Sequence, residues 1–315
     1  MTIDPQAIGA MRRLLRGSVR TGVFLRDLTS FRIGGAADAV VEPCDLEDMV
    51  NIKTFLAEEG IPNVVLGAGT NVLCSDKGYR GVIVRTAGLK CMVMTTGEFE
   101  AGRITAGAGV GLTALINRAY KAGCRGMERL WGIPGSVGGS IAVNAGAAGA
   151  AACDFLEELK LVTSDGSIVA LKRDDLNSGY RYTCLPENGI VLEVVFRFPW
   201  GNGSESREDL RYWMRLRKER QPWRIPSAGC VFKNPDQGDS AGAIIDRLGF
   251  KGVSEGGAQV SPIHANFIVN KGGATSGDVL RLIRSIRRRV NDEYNIQLEL
   301  EIQLIGEGLE HADTW

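Results

Sequence analysis

Leu66-Gly67-Ala68-Gly69-Thr70-Asn71-Val72-Leu73 follows a short strand-like run, Val64–Leu66, and places two glycines one residue apart at the end of that run. This is where a dinucleotide-binding fingerprint would sit. The fingerprint needs a third glycine three positions further on, and an acidic residue at the end of the next strand. Val72 occupies the third position here. A second loop, Ala106-Gly107-Ala108-Gly109-Val110-Gly111-Leu112, fails at Leu112. Neither loop is followed by a strand ending in Asp or Glu at the required distance, so a Rossmann fold is excluded. A third loop, Trp131-Gly132-Ile133-Pro134-Gly135-Ser136-Val137-Gly138-Gly139-Ser140, runs on through Asn144 to Gly146. Clustered glycines still bare backbone N–H groups that suit phosphate. The three loops, with Thr70, Asn71, Ser136, Ser140 and Asn144 as polar donors, predict a phosphate-bearing cofactor on a different scaffold.

Outward from these loops the chain mixes helical and strand patterns without internal repeats, which predicts an α+β fold. Helices are expected over 5–16, Asp45–Glu59, Leu112–Ala122 and Arg207–Arg220. Strands are expected at Ala39–Glu42, Val82–Arg85, Arg103–Ala106, Leu159–Thr163, Ser167–Leu171 and Ile190–Phe198, with Asp165–Gly166 turning a hairpin. Val279, Leu282, Ile283, Ile286 and Val290 form one helical stripe, and Arg281, Arg284, Arg287 and Arg288 read as its solvated face. Strict alternation from Ile296 to Leu304 reads as a half-buried strand with Glu299 and Glu301 on its polar side. The Gly-, Ser- and Glu-rich stretch Trp200–Glu208 is the expected domain boundary.

The 315 residues carry 37 Lys plus Arg against 37 Asp plus Glu, which argues against a nucleic-acid protein. No apolar run is long enough to span a bilayer, and the N-terminus lacks a signal-peptide core, so no membrane partner is expected. The 7 cysteines are scattered singly, which fits a reduced cytoplasmic protein. With only 2 histidines, a histidine metal cluster is nearly excluded, and no metal is expected.

Seven stretches in order resemble one family: Thr29–Gly35, Leu66–Leu73, Gly132–Gly146, Tyr180-Arg181-Tyr182, Ala228–Pro235, His264–Asn270 and Leu298–Gly306. The chain is similar to the UDP-N-acetylenolpyruvoylglucosamine reductases from about Leu28 to Glu307. That resemblance implies a two-part FAD-binding domain of the vanillyl-alcohol-oxidase (PCMH) type plus a C-terminal α+β substrate-binding domain. The expected ranges are a helical lead-in over 1–27, the FAD domain over 28–200 split near 88–100, and the substrate domain over 201–315. It implies non-covalent FAD, NADPH as co-substrate, and reduction of an enolpyruvyl UDP-sugar to UDP-N-acetylmuramate. The implied cofactor residues are Arg32, Gly67, Ala68, Gly69, Thr70, Asn71, Val72, Leu73, Gly132, Ile133, Pro134, Gly135, Ser136, Gly138, Gly139, Asn144 and Gly146. Tyr180, Arg217, Arg220, Gln221, Lys233 and Asn234 are the implied substrate residues. The short interval from Asn234 to Ala241 leaves no room for a substrate flap and places the chain in the flapless class.

The implied catalytic residues are Arg181, Cys230 and Glu301. Cys230 stands where the family usually has serine, the main departure from its pattern. Hydride delivery to the enolpyruvyl group builds enolate-like charge beside a carboxylate. A planar, permanently charged guanidinium such as that of Arg181 suits it, and removing such a group typically costs on the order of 3 kcal/mol in the barrier. An acid must then protonate the carbanion, and a thiol, with a reference pKa near ~8.5, is a stronger acid than a serine hydroxyl. Glu301 is implied as a helper that orients the donor or the enol, with Glu299 on the same face as its competitor. Two other readings carry less weight: a covalent-flavin oxidase of the same scaffold, and a nucleotide-sugar-binding protein that has lost its flavin. Neither histidine lies in the flavin loops, against the first.

Overall fold

The computed structural model describes residues 3–95, 101–186, 188–201 and 203–309. It divides into two compact units, each assembled from separated stretches of chain. The first comprises Met1–Thr21, Ala39–Ala68 and Gly81–Leu216; the second comprises Gly22–Asp38, Gly69–Arg80 and Arg217–Trp315. Part of the expected split near 88–100, and Asn202 in the expected boundary stretch, lie outside the described residues.

The first unit is organised on a five-stranded sheet in the order Ile168–Lys172, Leu156–Val162, Ile190–Pro199, Ala101–Gly107, Met92–Thr95. Every pairing in it is antiparallel. Alternation along Ile190–Pro199 buries Ile190, Leu192, Val194, Phe196 and Phe198, as a strand with one core face requires. The hairpin turn falls at Gly166, whose φ of +84° needs no side chain in the way. The helix Leu112–Lys121 buries Leu112, Leu115, Ile116 and Ala119, the face that its sequence marks. The helix Leu46–Glu58 is capped by Asp45, whose carboxylate accepts the Asp48 N–H. Met49, Ile52 and Leu56 from it share a core with Met11 and Leu15.

The second unit has a four-stranded sheet in the order Ser227–Cys230, Phe267–Asn270, Ala258–Val260, Ser254–Glu255. The long helix Ser276–Tyr294 starts in a capping box between Thr275 and Asp278 and buries Val279, Leu282, Ile283, Ile286 and Val290. One expectation for this helix is corrected. Arg287 is not on the solvated face: it is buried, and its Nε donates to the Leu298 carbonyl at 2.9 Å. A second correction concerns 296–304. Only Gln303–Ile305 forms a strand, parallel to Val72–Cys74, while Leu300 makes an isolated bridge to Phe232. The alternation still sorts the side chains, with Leu298, Leu300 and Ile302 buried. The pattern reports burial, and the ladder is replaced by single hydrogen bonds. Two short helices, Val137–Ala142 and Ala241–Arg247, have no sequence expectation. No described helix is long and apolar enough to cross a membrane.

Candidate active site

The glycine loops meet within the first unit. The Leu112 N–H donates to the Gly135 carbonyl at 3.0 Å, Val137 N–H to Val110 at 2.8 Å, and Gly138 N–H to Ala108 at 2.9 Å. Gly111 and Ser136 form a bridge between the second and third loops. Ser136 then caps the helix Val137–Ala142, accepting the Gly139 N–H. The approach is too close for side chains. A Cβ on Gly138 would lie 2.7 Å from the Ala108 Cβ, and one on Gly67 would lie 2.5 Å from the Ser136 Oγ. All three loops therefore converge on Ser136 and Ala108. Among the described residues, the N–H groups of Ala68, Gly135 and Ser136 meet no protein acceptor, which is the donor set a diphosphate takes.

In the second unit, Gly69 packs against the Thr29 segment: the Ser30 N–H donates to the Gly69 carbonyl at 2.9 Å. A Cβ on Gly69, whose φ is +67°, would lie 2.3 Å from the Leu28 carbonyl oxygen. The Thr29 hydroxyl there is buried with no hydrogen-bond partner, a polar atom placed for a ligand. The bare amides of the first unit by themselves fit a phosphate-rich cofactor such as FAD. Arg32 is exposed with a φ of +57°. Val72 and Leu73 are buried in their strand. Gly132, with a φ of +77°, opens the turn through Ile133 and Pro134.

Other expected cofactor residues are engaged elsewhere. Asn71 Nδ2 donates to the Glu301 carbonyl at 3.0 Å, and the Asn71 carbonyl accepts the Gln303 N–H at 2.9 Å. Asn144 Nδ2 donates to the Gly179 carbonyl at 2.9 Å while its Oδ1 accepts the Cys153 N–H at 3.1 Å. The Gly146 carbonyl accepts Arg181 Nη1 at 2.8 Å. Asn144 and Gly146 therefore serve the turn that presents Arg181. That turn joins Ser178–Gly179 to Tyr182–Thr183, with Arg181 left-handed at a φ of +56°. A side chain in this conformation costs roughly 1–2 kcal/mol, a strain often kept at functional positions. The guanidinium lies 5.4 Å from the Tyr180 ring centroid, and Tyr180 is 56% exposed.

Cys230 and Glu301 lie on adjoining segments of the second unit. Cys230 ends a strand that carries a register shift between Ser227 and itself, with Gly229 at a φ of +82°. The residue after it, Val231, accepts the Glu301 N–H at 2.8 Å. The Lys233 N–H donates to the Glu299 carbonyl at 2.9 Å. Glu299 is 74% exposed and paired with Lys233 at 3.0 Å, whereas Glu301 is half-buried. Lys233 is thus committed to an ion pair. Asn234 accepts the Ala241 N–H at 3.1 Å. Arg217 reaches Gln221 at 3.4 Å, and Arg220 is exposed.

His264 Nδ1 accepts the Asn266 N–H at 3.2 Å. Burial pushes the imidazole below its ordinary pKa, and Lys251 pushes it further. Sequence reasoning passed over Asn266, whose carboxamide bonds both backbone groups of Phe232. Its one signal is a polar residue inside the apolar run Ala265–Val269.

Residues 37–172 match an FAD binding domain, and residues 221–305 match the C-terminal domain of UDP-N-acetylenolpyruvoylglucosamine reductase. The UDP-N-acetylenolpyruvoylglucosamine reductase of Geobacter metallireducens is 39% identical over 305 residues, covering 97% of this chain and 100% of the relative. That of Heliobacterium modesticaldum is 40% identical over 284 residues, covering 89% of this chain and 88% of the relative. The crystal structure of UDP-N-acetylenolpyruvylglucosamine reductase (MurB) from Thermus caldophilus superposes with a TM-score of 0.77 at 35% identity, over 92% of this chain and 99% of that one. Matched along nearly its whole length, with an FAD-binding domain followed by the specific C-terminal domain, the chain belongs to the UDP-N-acetylenolpyruvoylglucosamine reductase family.

Proposed function

We propose that this protein is an oxidoreductase that uses NADPH and FAD to reduce UDP-N-acetylenolpyruvoylglucosamine to UDP-N-acetylmuramate, a step of peptidoglycan precursor synthesis. The observation that carries the reading is the convergence of the three glycine loops on Ser136 and Ala108, in a chain whose residues 37–172 match an FAD binding domain. Bound FAD would supply the hydride chemistry that links NADPH to the enolpyruvyl double bond.

The chain's own residues do the rest. The amides of Ala68, Gly135 and Ser136 are assigned to holding the cofactor. Arg181 meets the charge that builds on the enolpyruvyl carboxylate, and its strained turn aims the guanidinium without further reorganisation. Cys230 gives its Sγ proton to the carbanion. Glu301, tied by its own N–H to the residue after Cys230, orients that donor, and Glu299 is left to its surface pair with Lys233. Tyr180, Arg217, Arg220, Gln221, Lys233 and Asn234 are assigned to the UDP-sugar. Residues 28–200 are taken as the cofactor domain, 201–315 as the substrate domain and 1–27 as the lead-in. The partner is a small molecule, and the compartment of such a soluble precursor is the cytoplasm.

The test is the spectrum of the purified protein. It should be yellow, bleach with NADPH, and recover colour only when the enolpyruvyl UDP-sugar is added. A colourless protein that takes up no FAD overturns the reading.

A further inference from the structure

We infer that Asn266 is a positioning residue that sets Cys230 and Glu301 relative to one another. The inference rests on the proposed roles of those two side chains. It begins from a defect in the sheet. Ser227 pairs with Val269 and Cys230 pairs with Phe267, so the first strand spends one more residue than its partner over the same interval. That is a β-bulge, and it coincides with left-handed Gly229. A bulge bends its strand away from the ladder. Beyond it Val231 keeps a single ladder bond, and Phe232, among the described residues, lacks the backbone partners on that edge that a straight strand would supply.

Asn266 replaces them. Its backbone carbonyl accepts the Val231 N–H at 2.8 Å. Its side-chain Oδ1 accepts the Phe232 N–H at 2.9 Å, and Nδ2 donates to the Phe232 carbonyl at 2.8 Å. A carboxamide is the one uncharged side-chain group, shared by Asn and Gln, that offers a donor and an acceptor side by side, as a peptide unit does. Asn266 is 3% exposed, so it reaches no ligand and acts only through the chain it holds. Its own N–H is bound by His264 Nδ1.

The other edge of the same two residues is held by the acidic segment. The Glu301 N–H donates to the Val231 carbonyl, and Leu300 bridges Phe232. Val231 and Phe232 are thus clamped between Asn266 on one edge and Leu300–Glu301 on the other. Cys230 is covalently next to this clamp, and Glu301 is hydrogen-bonded into it. Loosening Asn266 lets the thiol and the carboxylate drift apart while leaving the glycine loops of the first unit untouched.

The experiment compares the two half-reactions of the holoenzyme in anaerobic stopped flow. The variant is Asn266→Ser, which removes the two-bond clamp without burying a charge. Flavin content and flavin reduction by NADPH should stay within about twofold of the parent. Flavin reoxidation by the enolpyruvyl UDP-sugar should slow by about ten- to a hundredfold, with a larger solvent deuterium isotope effect, because proton delivery has been impaired. In a Cys230→Ala background the same change should slow reoxidation by less than about twofold. Equal slowing of both half-reactions, an unchanged isotope effect, or full additivity with Cys230→Ala overturns the inference. If Asn266→Ser yields no yellow protein, Asn266→Asp, which keeps the acceptor for the Phe232 N–H, takes its place; failure of both to fold makes the role purely architectural and overturns it as well. A Cys230→Ala protein that reoxidises at the parent rate sinks the donor assignment itself, a result distinguishable from failure of the clamp.

Discussion

In the proposed reading, the glycine loops of the first unit and the Cys230 segment of the second solve the same problem, placing polar groups against a small molecule, by opposite means. Around Ser136 the chain works by omission: two backbones approach so closely that a single methyl group at Gly138 would collide with Ala108. Donors are backbone amides, and their position follows from the path of the chain. Around Cys230 the chain works by addition. A bulge breaks the ladder, and Asn266 restores the bonds with a side chain. The first design is intolerant of added bulk at Gly67 and Gly138. The second is tunable, because Cys230, Glu301 and Asn266, the proposed donor, helper and strut, are separate side chains.

The contrast can be broken first at Gly138. Gly138→Val should drive its side chain into Ala108, with an overpacking cost of about 1–3 kcal/mol. We expect the purified protein to be colourless, whereas no substitution at Cys230 should change flavin content; retention of stoichiometric FAD would erase the distinction. The next effect in size belongs to the proton donor. Cys230→Ala should slow flavin reoxidation by roughly 10²–10⁴, the span of general acid catalysis, with NADPH reduction intact. Cys230→Ser should keep turnover, since a hydroxyl retains the transferable proton. Smaller again is the comparison of the two carboxylates. Glu301→Gln should lower the reoxidation rate by about tenfold, and Glu299→Gln should leave it within about twofold, because Glu299 is occupied with Lys233 at the surface. Reversal of that order would reassign the helper.

The smallest expected effect sharpens the account of the second unit through pH. The His264 imidazole has a lowered pKa in the folded chain, from burial and from Lys251. The unfolded chain therefore binds a proton there more readily. The stabilisation from this site is fully present above the unfolded value of about 6.5 and is lost as pH falls below it. Protonated Nδ1 also cannot accept the Asn266 N–H. Denaturation curves between pH 7 and 5 should show stability declining on acidification, with a shallower decline in His264→Gln. An identical slope in both proteins would remove His264 from this role.

Much of the first unit could be read directly from sequence, because glycine spacing and amphipathic period are local signals. The helix over 112–121 and four of the five strands of the large sheet match their patterns, while Met92–Thr95 had no sequence expectation. The second unit was less legible, since its decisive contacts are non-local. Arg287 carries the same letter as its exposed neighbours Arg284 and Arg288, yet its target is the Leu298 carbonyl, set by tertiary packing. The alternation over 296–304 marked the buried side chains correctly but could not show that a single bridge and a few hydrogen bonds take the place of a ladder. Asn144 and Asn71 sit in cofactor-like motifs, and only the fold reveals that their amides hold the segments of Arg181 and Glu301. Asn266 lies within the stretch His264–Asn270 that carries the resemblance, but nothing in that stretch marks its carboxamide as a strut.

The strand Gln303–Ile305 lies beside Val72–Cys74, and the unit containing both also draws on Gly22–Asp38. During synthesis the early pieces leave the ribosome long before their partner strand exists. At about 5–20 residues per second, they wait on the order of ten seconds or more. The first unit has its whole chain earlier, because its last stretch ends at Leu216. Birth order therefore favours the cofactor cradle, and the acid-bearing half is completed only when the final strand is translated. A cell short of chaperones should lose this protein as chains that hold a folded first unit and an unfinished second one.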